Sequence, residues 1–176
     1  MQAYNNPKPR HEWCFDWSSQ LGLVVNQIYW CSEVEDAFDK MAAGDAGAMK
    51  KYSEQQVQQI TDLIATTRRD LDKPSRQKIM NMITIDAHSR DMVISIVENG
   101  ENSKKCFKWM SQLRTYWDAD IDDSVIKICD AFFPYGYEYL GNGGRLVITP
   151  LTDRIYITAT QACWLSMGTA PAGPAG

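Results

Sequence analysis

From about Asp16 to Val97 the apolar residues recur at steps of three and four, with two interruptions. No other feature constrains the chain as much. Residues at that spacing share one helical face, and consecutive segments of this kind must bury their faces against one another. The first segment runs from about Asp16 to Met41, with Leu21, Val24, Ile28, Cys31, Val34, Phe38 and Met41 on one side. Asp16 is placed to cap its first amides, and Gly44 and Gly47 mark the break after it. The second opens on Ser53 and Gln56, which have the spacing of a capping box, with Tyr52 and Val57 placed as a hydrophobic staple. Val57, Ile60, Ile64 and Leu71 line its face. Pro74 then starts a third helix, near the first-turn position where its missing amide costs least. That helix carries two stripes, Ile79, Ile83, Ala87, Ile94, Val97 and Met82, Ile85, Met92, Ile96, which suits the middle of a bundle. Asn99 and Gly100 end it, and a shorter helix follows from Ser103 to about Arg114.

The pattern changes after Arg114. Residues 115–117 and 125–133 are rich in aromatic and β-branched side chains and flank an acidic turn, the signature of a β-hairpin. A further extended stretch, 135–140, leads to the glycine-rich turn 141–144. Leu146, Val147 and Ile148 form a short strand or an apolar loop. A last helix spans about Thr152 to Met167 and stops at Gly168. The fold class expected is mainly α with a small β-hairpin.

Composition removes several function classes. Hydrophobic residues are 44% and charged residues 23% of the 176, the balance of a soluble domain. No stretch approaches ~18 uninterrupted apolar residues, so no membrane span is expected. The net charge of −4, with both signs interspersed, gives no case for nucleic acid or an anionic membrane as partner. Five cysteines without a CxxC pair exclude zinc-ribbon and thioredoxin-like chemistry, and are expected to be reduced thiols packed as small apolar groups.

Few residue sets carry chemistry. Asp118, Asp120 and Asp122 imitate the start of a calcium loop. The glycine needed at its sixth position is Asp123, and the glutamate needed at its twelfth is Cys129. His88 lies near Asp86 and Asp91, with no third partner at a useful spacing. The glycines at 141–144 have neither a helix directly behind them nor a Lys-Ser/Thr pair. The tail is different. Gly173, Pro174, Ala175 and Gly176 match the front half of a phosphate-binding loop, G-x-x-x-x-G-K-[ST], in which backbone amides wrap the phosphates. The same four residues also suit a flexible end.

Longer blocks give that tail a context. YGYEYLGNGGRLVITPLTDRIYITATQ at 135–161 resembles the entry to the first AAA+ module of axonemal dynein heavy chains. WCFDWSSQL (13–21), QIYW (27–30), KIMNMITIDAHSRDMV (78–93), QLRTYWD (112–118) and ICDAFFPYGYEYLGN (128–142) resemble, in order, the end of the dynein linker. The resemblance implies an irregular start over 1–15, the C-terminal part of the linker over 16–133, and over 134–176 the truncated α/β start of the module. It implies that Leu146, Val147, Ile148, Pro150, Leu151 and Thr152 approach the adenine, and that Gly173, Pro174, Ala175 and Gly176 begin the phosphate loop. ATP and Mg belong to the intact parent, and this stretch alone is expected to bind no nucleotide and hydrolyse none. The implied role is coupling nucleotide state to linker movement in a minus-end-directed microtubule motor of cilia or flagella. The implied partners are the rest of the heavy chain, intermediate and light chains, and microtubules; the implied location is the axoneme. The alternative is a free-standing helical interaction protein docking through Trp109, Tyr116 and Trp117.

Overall fold

The computed structural model describes residues 3–5, 8–139 and 144–173. Among them are helices α1 (Arg10–Trp13), α2 (Ser19–Ala42), α3 (Ala48–Thr67), α4 (Lys73–Glu98), α5 (Phe107–Met110) and α6 (Pro150–Trp164). Strands β1 (Arg114–Asp118), β2 (Asp123–Ile128) and β3 (Ala131–Pro134) form an antiparallel sheet in the order β1-β2-β3. The mainly α reading with a small antiparallel sheet holds.

The long helices follow the periodicity, with their ends set by local hydrogen bonds. The cap of α2 is Ser18, whose hydroxyl accepts from the Leu21 amide at 3.4 Å. Asp16, the expected cap, pairs instead with Lys8 at 2.7 Å. Pro74 sits in the first turn of α4, and Asp72 caps that helix by accepting from the Ser75 amide at 3.1 Å. In α3 the expectation is wrong twice. The helix begins at Ala48, so Ser53 lies inside it and caps nothing. Its buried face is Met49, Tyr52, Gln56, Ile60, Leu63 and Thr66, whereas Val57 and Ile64 are 48% and 44% exposed. Polar side chains hide this phase: Thr66 is admitted to the interior because its hydroxyl donates to the Asp62 carbonyl at 2.8 Å.

The hairpin gains a third strand. The run 125–133 breaks where Cys129 adopts a left-handed conformation, φ 47°, and Phe133 folds back to pair with Ile126. α5 is a single turn, shorter than expected, because Arg114 already belongs to β1. Residues 135–139 form no strand, although the Tyr135 amide donates to the Ser124 carbonyl at 2.8 Å. The 146–148 segment is a loop. α6 ends at Trp164, three residues early. Ser166 takes the left-handed position, φ 58°, and the Met167 amide reaches back to Ala162 at 2.8 Å, closing the helix as a glycine usually does.

Two apolar clusters hold the helices to one another, and Tyr116 of β1 packs against the first. One gathers Trp30, Val34, Phe38, Met49, Tyr52, Val93, Ile96 and Trp109; the other gathers Trp13, Cys14, Val25, Leu63, Ile79 and Met82. Trp109 is fully buried, 5.1 Å from the Trp30 ring and 6.4 Å from that of Phe38, so it is core rather than a docking surface. Its indole N–H and the Tyr116 hydroxyl both donate to Glu35, at 3.4 and 2.5 Å. Burial pushes the Cys14 thiol up to about 11 and that of Cys31 to about 12, as expected of inert packed thiols. Cys163 departs from that expectation, being exposed on α6. Among the described residues no helix is long and apolar enough to cross a membrane, and no group of three or more side chains is placed to hold a metal ion.

Candidate functional site at the junction of the helical layer and the last helix

Residues 144–164 lie against the α2–α4–sheet layer through a few specific contacts. The Gln161 carboxamide donates to the Ile128 carbonyl at 2.9 Å, at the end of β2. One turn on, Trp164 meets Phe133 edge-on, with ring centroids 6.0 Å apart. At the other end of the segment, the Arg145 amide donates to the side-chain oxygen of Asn81 on α4 at 3.1 Å, and Gln77 donates to the same oxygen at 3.0 Å. Gln20 on α2 reaches the Glu138 carbonyl at 2.9 Å and holds the approach to the segment.

Between these contacts lies a cavity of about 330 Å³. Trp30, Ile85, Ile126, Ile128, Ile148 and Tyr156 give it apolar walls, and His88, Gln112, Arg145 and Asp153 bring polar groups to it. The His88 ring is 3.2 Å from the Gln112 carboxamide oxygen. Burial pushes the Asp153 carboxyl above its ordinary range, and the nearby imidazole of His88 offsets part of that rise.

α6 begins with a reciprocal cap. The Thr149 hydroxyl accepts from the Thr152 amide at 3.4 Å, and the Thr152 hydroxyl accepts from the Thr149 amide at 2.7 Å. Pro150 occupies the first turn, where its fixed φ suits a helix start. The expected adenine-facing residues therefore do not share one environment. Leu146, Val147 and Leu151 are 72% or more exposed, Ile148 turns into the cavity, and the Thr152 hydroxyl is engaged in the cap. Gly173 is exposed and meets no atom within 4 Å of where a Cβ would stand. Pro174, Ala175 and Gly176 lie outside the described residues.

Sequence reasoning missed Asn81, Gln77 and Gln161. A signal for Asn81 existed: it is a poor helix former set between Met80 and Met82, in a stretch otherwise patterned for burial.

The family profile described as the hydrolytic ATP binding site of the dynein motor region matches residues 135–176. The alpha chain of the flagellar outer arm dynein of Chlamydomonas reinhardtii is 73% identical over 169 residues, 96% of this chain and 4% of the relative. Dynein axonemal heavy chain 9 of Homo sapiens is 49% identical, and the ciliary dynein beta chain of Tripneustes gratilla 47%, over the same shares. This chain belongs to the axonemal dynein heavy chains, and spans about 4% of the length of the curated relatives it matches.

Proposed function

We propose that this chain is the joint of an axonemal dynein heavy chain at which the end of the linker meets the first ATP-binding module. Residues 16–133 are the linker end, after an irregular start over 1–15, and residues 134–176 are the entrance to the module. The whole heavy chain is an ATP-driven, minus-end-directed microtubule motor of the axoneme. It works with the rest of its own chain, with intermediate and light chains, and with microtubules. The share of this segment is to couple nucleotide state to linker movement.

The observation that carries this reading is the docking of the ATP-site-matched stretch onto the helical layer by Asn81, Gln161 and Trp164. A change at the nucleotide thereby has a direct mechanical route into α4 and β2. The outer surface of the stretch supports it as well. None of the fifteen residues of α6 is buried, and Leu146, Val147, Leu151, Ile155 and Leu165 are exposed large apolar side chains of the kind that a partner covers. The remainder of the ATP module is the occupant that fits. ATP brings the charge and leaving group of phosphoryl transfer, and Mg neutralises the phosphates. On this reading Val147, Ile148 and Leu151 give apolar contact to the flat base, with Pro150 stiffening the path, and the phosphate loop that begins at Gly173, Pro174, Ala175 and Gly176 wraps the phosphates through the backbone N–H groups of its non-proline residues.

Photolabelling tests the reading. Irradiating the intact heavy chain with 2-azido-ATP should place label within 146–152, and excess ATP present during irradiation should prevent it. Label confined to other parts of the motor would sink the adenine assignment.

A further inference from the structure

We propose that Asn81 is a positioning residue for the ATP-binding segment, its side-chain oxygen acting as the clasp that fixes the backbone of the adenine-approaching loop to α4. The inference rests on the reading given above.

Asparagine is disfavoured inside a helix, and burying its carboxamide costs stability unless its hydrogen bonds are made. Yet Asn81 lies in the middle of α4 and is only 5% exposed. Its oxygen accepts two hydrogen bonds, one from Gln77 four residues earlier and one from the Arg145 amide sixty-four residues later. The first is local and holds the carboxamide in one orientation. The second is the useful one, because Arg145 lies in a stretch with neither helix nor strand to take its amide. The clasp stands three residues before Ile148 and five before Pro150. On the far side of the loop, Gln161 fixes α6 to the Ile128 carbonyl. The adenine-approaching residues are thus suspended between two carboxamides, one on α4 and one reaching β2. Movement of α4 shifts one end of the loop while the sheet holds the other.

The test uses Asn81→Leu, which keeps the volume and loses the acceptor, and Asn81→Asp, which keeps an acceptor oxygen. In this chain, the Arg145 amide should exchange with deuterium roughly tenfold faster in Asn81→Leu, the size of effect one lost hydrogen bond gives. Asn81→Asp should restore most of the protection. In the intact heavy chain, Asn81→Leu should weaken binding of the fluorescent nucleotide mant-ATP several-fold at unchanged melting temperature, and Asn81→Asp should bring affinity back toward the parent value. Unchanged exchange at Arg145 overturns the clasp. Faster exchange with unchanged mant-ATP affinity overturns the positioning role. Absence of 2-azido-ATP label within 146–152 of the parent heavy chain is a different result, and it overturns the underlying adenine reading whether or not the clasp exists.

Discussion

The guanidinium of Arg10 donates to the carboxylate of Asp86 at 2.8 Å, joining the first helical turn to the middle of α4 across 76 positions of sequence. Both groups are largely removed from water, and neither is left with a single partner. Arg10 also donates to Asn26 at 2.7 Å and to Gln59 at 2.8 Å, and Asn26 donates to the second Asp86 oxygen at 2.7 Å. One polar knot therefore ties α1, α2, α3 and α4 together.

Asp86→Ala should cost about 3–5 kcal/mol, because it leaves the Arg10 charge buried and uncompensated. Arg10→Met combined with Asp86→Leu should recover most of that loss, since an apolar pair of similar volume needs no ionic partner. Urea denaturation checks both, read as a shift in midpoint at constant slope. A loss below about 1 kcal/mol for Asp86→Ala would mean that water reaches Arg10 easily, and that the knot is a surface feature.

The phase of α3 gives a second comparison. Leu63→Ala should cost about 2–5 kcal/mol, because Leu63 is fully buried beside Ile79 and Met82. Val57→Ala should change stability by less than about 0.5 kcal/mol, because Val57 faces water. The reverse ranking would restore the face read from the spacing of Val57, Ile60 and Ile64.

That misreading shows where sequence reasoning reached its limit. Periodicity found all three long helices, because three- and four-residue steps leave few alternatives once apolar residues recur over eighty positions. It failed at Gln56 and Thr66, polar residues that a buried face accepts only when side-chain and backbone geometry allow it. It failed again at Cys129, since nothing in the sequence marks a cysteine as the left-handed corner that divides β2 from β3. The candidate site was readable mainly through resemblance. Leu146 and Val147 look like core residues in sequence and are exposed here. Asn81 was unreadable as a contact of Arg145, since a hydrogen bond spanning 64 positions leaves no periodic trace.

Glu33 makes stability depend on pH. Burial holds its carboxyl above the ordinary value of 4.5, and the Tyr52 hydroxyl and Arg10 offset only part of the rise. A carboxyl whose pKa is raised on folding keeps its proton longer in the native state than in the unfolded one. Stability therefore falls as pH rises from the unfolded value through the raised one, and levels off above it. Asp153 contributes with the same sign. Glu33→Gln removes one of the two contributions, so the fall in melting temperature from about pH 4.5 toward neutrality should be shallower in the variant. Parallel melting curves across that range would show that Glu33 ionises as easily in the fold as outside it.

Gly173 separates folding from nucleotide use. No atom stands within 4 Å of a Cβ built there, and its φ lies outside the left-handed range, so this fold has room for a side chain. Gly173→Val should leave the melting temperature and α6 exchange of this chain unchanged, within the ±0.5 kcal/mol usual for exposed positions. In the intact heavy chain the same change should weaken mant-ATP binding at least tenfold. Backbone amides in a phosphate loop approach the phosphates closely, and a branched side chain at its first glycine crowds that path. Normal ATP turnover by the Gly173→Val heavy chain would remove the tail from the phosphate site and leave the junction at Asn81 to be explained without it.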